Sequence, residues 1–243
     1  MPTTLWSYPS QHYVGSDGRR MQGDKDYLGA TPSWVIWQVL QRYTREGDRV
    51  LDPFCGSGTT LDVCADLGRQ GKGFDLAPAR DDILQGDARH LPLPDASVDC
   101  IFMDPPYASH IAYSEAEDCI GRLDGAEYLD AMDDAIAEAH RVLRDRRYIA
   151  IYVSDSWKKR KGTEPGSGSG TFLPIGFELW ARLMKRFKGI DIICIERRNS
   201  KLDRGNWRRA AEDGNFFLRG FNYLLLAKKE EVARTERRER APR

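Results

Sequence analysis

The chain's 243 residues can bury one full hydrophobic core and leave little for a second domain. Hydrophobic residues at 41% and charged residues at 30% are ordinary for a globular chain; no apolar run approaches the roughly 20 residues needed to cross a bilayer, and the opening MPTTLWSYPS lacks the basic and apolar blocks of a secretion signal. An intracellular, cytoplasmic location with no membrane partner is expected, while the balance of 37 basic against 37 acidic residues gives no general support for a nucleic-acid partner.

Residues 1–30 mix aromatics, glycines and charges without a period and read as an arm or irregular cap. Pro32 then fixes the approach to an amphipathic helix from Ser33 to Tyr43, with Trp34, Trp37, Val39, Leu40 and Tyr43 on its apolar side and Thr31 or Ser33 available to cap it. The stretch around which the chain is organised is RVLDPFCGSGTT, Arg49 to Thr60. Val50 and Leu51 predict the end of a buried strand, Asp52 and Pro53 close it, and Gly56 and Gly58 flank Ser57 in a turn too tight for bulky side chains. Phe54, Cys55, Thr59 and Thr60 complete this loop, and Thr59 to Leu67 continues as a helix whose free N–H groups face a ligand. A strand, a glycine loop and a helix open an α/β nucleotide site. No Lys follows the glycines, which disfavours a triphosphate. Cys55 has no evident base beside it and is read as a small packing residue. The five cysteines, Cys55, Cys64, Cys100, Cys119 and Cys194, lack metal-ligand spacing and are odd in number, so neither a metal nor a disulfide framework is expected.

GKGFD, Gly71 to Asp75, predicts a second strand ending in an acid, and a carboxylate there can accept hydrogen bonds from both ribose hydroxyls of an adenosine cofactor. The interval to Asp87 leaves room for only a short helix or none. Asp87, with Ala88 beside it, follows Ile83 and Leu84 and is placed to meet an adenine amino group. The run SVDCIFM predicts a strand ending at Asp104, where Pro105 and Pro106 stop regular hydrogen bonding. The resulting stiff corner holds the Asp104 carboxylate, an exposed carbonyl and the Tyr107 ring, the groups that a planar, amino-bearing base needs. Tyr128 to Leu143 has the spacing of a helix packed on a sheet, and Tyr148 to Val153 is the next strand. Lys158 to Thr171 is flexible by composition; Phe177 to Phe187 predicts a helix, and Ile190 to Ile195 and Phe221 to Ala227 predict strands. Acids collect in Glu115 to Glu138, whereas Lys158, Lys159, Arg160 and Lys161 and the series Arg197, Arg198, Lys201, Arg204, Arg208 and Arg209 are basic. Trp207, Phe216 and Phe217 interleave with the second series, a mixture suited to phosphate plus base or groove contact, or to anchoring the loop. Arg234 to Arg243 is a charged tail with no packing face.

Asp52 to Gly58 and Asp104 to Tyr107 resemble the Asp-Pro-Phe-x-Gly-x-Gly and Asp/Asn/Ser-Pro-Pro-Tyr motifs of the DNA amino-methyltransferases, which methylate adenine N6 or cytosine N4 with S-adenosylmethionine. The resemblance implies an α/β fold with a seven-stranded, mostly parallel Rossmann-like methyltransferase sheet, its last strand antiparallel, and helices on both faces. It also implies S-adenosylmethionine as cofactor and S-adenosylhomocysteine as product with no metal, and base flipping. Thr31, Pro32 and Ser33 would form the wall around the cofactor's methionine part, and Asp52 would secure the glycine turn and the methionine amino group. Relatives place a Pro-Gly-Gly turn where this chain has Arg144, Asp145, Arg146 and Arg147, and many carry a larger target-recognition domain. The expected layout is therefore a catalytic domain over 31–229 with substrate-facing insertions at 157–171 and 196–220, followed by a tail at 230–243. Double-stranded DNA, a homodimer and a cognate restriction endonuclease are the expected partners; an RNA base methyltransferase and a noncatalytic nucleic-acid-binding protein are the alternatives left open.

Overall fold

In the computed structural model, which describes residues 3–7, 22–24, 27, 29–106, 119–159, 170–197 and 205–231, the chain winds around one mixed sheet. Its elements are β1 (Leu5–Trp6), α1 (Ser33–Tyr43), β2 (Arg49–Asp52), α2 (Thr59–Asp66), β3 (Gln70–Asp75), β4 (Ile83–Gln85), β5 (Val98–Met103), α3 (Gly125–Val142), β6 (Leu143–Val153), β7 (Ser156–Lys159), β8 (Gly170–Leu173), α4 (Ile175–Leu183), β9 (Lys188–Glu196), α5 (Gly205–Asp213) and β10 (Phe221–Lys228). The sheet order is β1-β9-β10-β6-β5-β2-β3-β4. Only β10 runs against its neighbours, pairing antiparallel with β6 and β9. The seven expected strands are all present, and Leu5–Trp6 adds an eighth at the edge beside β9. Two residues are too short for a period, which is why that strand does not show in the sequence.

Alternation along the strands explains the helices on both faces. Leu51, Ile101, Met103, Ile149 and Ile151 point to one side and bury Met132 and Ile136 of α3 and Leu179 and Leu183 of α4. Their neighbours Val50, Cys100, Phe102 and Ala150 point to the other and bury Val35, Ile36 and Val39 of α1 with Val63 and Cys64 of α2. Every residue of β5 is buried, as a parallel strand covered on both faces requires. From β2 the chain runs outward through β3 and β4, then returns to place β5 on the other side of β2. The order therefore reverses between β2 and β5, and the crevice at their C-terminal ends is where such sheets bind ligands.

Four expectations are corrected here. Neither Thr31 nor Ser33 caps α1, because Pro32 occupies the cap position with no side-chain bond and Thr31 turns its hydroxyl to Asp104. The ends of the stretch read as flexible are ordered, with β7 and β8 pairing as an antiparallel ribbon from Ser156↔Leu173 to Lys159↔Gly170. No turn separates α3 from β6: the strand begins at Leu143, with Arg146 in a left-handed conformation (φ 61°). Arg144 and Arg147 instead pair with Asp99, whose buried carboxylate lies 2.7 and 3.1 Å from them at the end of the sheet opposite the crevice. The basic stretch after β9 contains α5, anchored by the buried Ala211; its apolar positions, Trp207, Ala210 and Ala211, fill a single turn among charges, too short a stripe to read as a helix.

Candidate active site

The crevice is a cleft enclosing about 840 Å³ of space, part of it open to solvent. Its floor is the loop after β2. Asp52 is buried there and accepts hydrogen bonds from the Thr60 hydroxyl and from Phe54 N–H (3.0 Å). Burial pushes its carboxyl up to about 7, against the opposing pull of those two bonds. Gly58 adopts φ 82° as the cap of α2, and a Cβ there would fall 2.5 Å from the Arg80 guanidinium. Arg80 crosses from the loop between β3 and β4 to the Asp62 carboxylate (2.9 Å) and the Ser57 carbonyl (3.3 Å), fastening the glycine loop from behind. No helix intervenes between β3 and β4.

Asp75 ends β3 with one carboxylate oxygen accepting from Gly56 N–H (2.9 Å) and the other from Ala77 N–H (3.0 Å). It thus joins the second strand to the glycine loop and still lines the cleft. Asp87 also faces the cleft and is salt-bridged to Arg89 (2.6 Å); burial raises its pKa, but the hydrogen bonds from Arg89 outweigh it and hold the carboxyl below its usual range. Asp104 follows β5 directly, with Thr31 Oγ1 donating to it, which fixes the carboxylate in the lining of the same cleft.

Most of the cofactor residues expected from the sequence meet here: Thr31, Asp52, Phe54, Cys55, Gly56, Ser57, Thr59 and Thr60 line the cleft with Asp75, Asp87, Ala88 and Asp104. Pro106 lines it too, whereas Pro32, Ser33, Gly58 and Pro105 do not. Tyr107, Arg160, Lys161, Arg198, Lys201 and Arg204 lie outside the described residues. Lys158 and Lys159 are in β7, Arg197 follows β9 with its N–H on the Gly220 carbonyl (2.8 Å), and Trp207, Arg208 and Arg209 are exposed on α5. Cys55 is buried against Gly73, and burial raises its thiol far above the usual range, consistent with packing.

Tyr27 is the residue that motif reading missed. Its ring lies over Gly56, so that a Cβ on that glycine would touch it at 3.2 Å, and it lines the cleft. Burial, with the carboxylates of Asp75 and Asp104 nearby, pushes its hydroxyl up to about 12. The arm around it is tied to α2 by Gly23 N–H to Asp62 (2.8 Å) and by the Gln22 amide to Asp66 (2.7 Å). Only the lone aromatic in GDKDYLGATP could have pointed to it.

The charge of the cleft is one-sided. Among the described residues, Asp52, Asp75, Asp87 and Asp104 line it and no Lys, Arg or His does. A phosphorylated ligand would meet carboxylates with no cation to offset them, whereas a ligand carrying positive charge, a diol and a flat ring finds an acceptor for each.

Sheet order, crevice and acidic lining together define an α/β Rossmann-like methyltransferase fold. TrmN from Thermus thermophilus is similar at this level, 19% identical over 83% of this chain and 50% of its own, with a TM-score of 0.53. The family model for N6/N4 methyltransferases, described as DNA methylase, matches residues 2–85 and 98–240, and the chain belongs to that family. Among curated proteins, the Type II methyltransferase M.HpaI of Haemophilus parainfluenzae is 33% identical over 75 residues, 31% of this chain and 22% of that protein. The Type II methyltransferase M.MjaII of Methanocaldococcus jannaschii is 35% identical over 60 residues, 25% of this chain and 11% of that protein. The matched stretches thus span less than a quarter of these relatives' length.

Proposed function

We propose that the chain transfers a methyl group from S-adenosylmethionine to the exocyclic amine of a flipped DNA base, adenine N6 or cytosine N4. The observation that carries this reading is the acidic cleft, lined among the described residues by four aspartates and no Lys, Arg or His, with Asp104 and Pro106 of the Asp-Pro-Pro corner in its wall. S-adenosylmethionine fits the donors and acceptors present and, when bound, supplies a methyl group on a positively charged sulfur. Asp75 would receive the ribose hydroxyls, Asp87 and Ala88 would meet the adenine, and Asp52 would answer the ammonium group. Asp104 and the Pro105 carbonyl would accept hydrogen bonds from the base's amine, whose lone pair is delocalised into the ring. They would hold it in line and favour the tetrahedral nitrogen that develops. The hydroxyl of Thr31 would keep the Asp104 carboxylate in place, and Tyr107 would stack on the extruded base.

Residues 31–229 would then form the catalytic domain, with 157–171 and 196–220 serving recognition. With so little recognition material, a homodimer that presents two basic surfaces to double-stranded DNA is the assembly we favour. A cognate restriction endonuclease is the functional partner we favour, with both proteins in the cytoplasm. The test is incubation with labelled cofactor, diverse duplex DNAs and structured RNA, followed by mass spectrometry of the digested product. Methylated adenine or cytosine in DNA is expected, and Asp104→Ala should abolish single-turnover transfer while retaining cofactor binding. Methyl incorporation confined to RNA would reject the DNA assignment, and a folded protein that binds no cofactor would reject the enzyme.

A further inference from the structure

The C-terminal rim of the sheet exposes an aromatic row that neither the core nor the cleft uses. Phe172 on β8, Phe177 on α4 and Phe221 on β10 are 42%, 65% and 40% exposed. Tyr223 links two of them, meeting Phe221 edge-on at 5.0 Å and Phe177 at 6.1 Å between centroids. The Arg219 guanidinium lies 4.8 Å above the Phe172 ring. The row is stiffly held. Asp155 accepts from the Tyr223 hydroxyl and from Gly176 N–H, both at 3.0 Å, tying β10, the end of β6 and the first turn of α4 together. Position 176 carries no side chain, as this packing demands: a Cβ there would fall 2.4 Å from the Tyr223 ring.

We propose that this row is a stacking platform for unpaired bases of the target strand a few nucleotides from the extruded one, an inference that rests on the DNA reading above. β10 is two strands from β5 in the sheet, a lateral distance of about 10 Å from the Asp104 corner. Stacked DNA rises 3.4 Å per base along one strand, so the row lies about three bases from the reacting one. Rings on one rigid rim, with a guanidinium over one of them, suit nucleobases of any sequence, each of which has a face to stack, and answer their phosphates with positive charge. Phe172 also shares its ribbon with Lys158 and Lys159, which adds the charge complementarity that a strand of phosphates requires.

The test uses the whole protein and the double variant Phe177→Ala, Phe221→Ala, whose rings are 65% and 40% exposed and lie outside the buried core. Fluorescence anisotropy in S-adenosylhomocysteine compares a fully paired duplex, the same duplex opened by a mismatched bubble, and its single strand. The variant should bind the bubble and the single strand about tenfold or more weaker, the paired duplex far less so, and S-adenosylhomocysteine as before. 2-Aminopurine placed beside the bubble should be quenched by the wild type and not by the variant. Equal losses on all three DNAs, or none, overturn the platform while leaving DNA methylation intact. So does sedimentation showing that the variant dissociates a dimer with its DNA affinities unchanged, which makes the row an interface between copies. A wild type that binds S-adenosylhomocysteine but no nucleic acid overturns the DNA reading and the platform with it.

Discussion

Asp52 carries a carboxyl that burial pushes up to about 7, so its charge is set by the pH at which a cationic cofactor arrives. An ordinary Asp titrates near 3.9 in an unfolded chain. With the folded value raised, its contribution to stability is fully present below about pH 4 and is lost as pH rises through 7. Cofactor binding should run the other way, because the ammonium group favours the ionised form. Between pH 5.5 and 7 the affinity for S-adenosylmethionine should rise about tenfold, whereas Asp52→Asn, which cannot ionise, should show a flat and weaker profile. Calorimetric titrations across that window check this, and an unchanged slope in the variant would remove Asp52 from the cofactor's charge balance. At this scale the sequence was informative wherever a backbone constraint and a chemical group coincide, as in the glycines after Asp52 and the prolines after Asp104. It was silent on Tyr27 and Arg80, which reach the glycine loop across space from segments with no spacing of their own.

The junction of α3 with β6 shows how an element can end without a turn. α3 places His140 and Arg141 in its last turn, where positive charge suits the helix dipole, and Leu143 already belongs to the strand. The carbonyls of His140 and Leu143 are answered by Lys229, 4% exposed, whose Nζ donates to each at 2.9 Å. Lys229→Met keeps the packing volume but leaves those carbonyls buried without their donor, which should cost about 1–3 kcal/mol, read as a lower urea midpoint. A midpoint equal to wild type would assign the carbonyls to water. From the sequence, Lys229 stands in a charged run, AKKEEVAR, that looks like the start of a tail. Its role depends on β10 returning beside β6, a contact across 86 residues that local patterns do not carry. The same limit hid α5: its apolar positions, Trp207, Ala210 and Ala211, fill only one turn among charges, and composition alone reads as loop.

For the molecule as a whole, 37 positive and 37 negative charges cancel, so attraction to DNA must come from where the charges lie. α3 presents the exposed acids Glu127, Asp130 and Asp134, while α5 presents Arg208 and Arg209. Arg209 lies 3.7 Å from Asp213, and both side chains are more than 70% exposed; such a pair is worth little and yields readily to a phosphate. Each phosphate contact on duplex DNA contributes about 0.9 to the slope of log affinity against log salt. Replacing both arginines by Ala should therefore flatten that slope by about 1.8 and weaken binding most at low salt, with cofactor affinity unchanged because α5 contributes nothing to the cleft. Anisotropy titrations of duplex DNA over a salt series measure both quantities. A parallel loss at every salt concentration would mean that the arginines act through the fold of the insertion. An unchanged slope would place the phosphate contacts elsewhere on the basic segments, and removing the lysines of β7 is then the experiment that locates them.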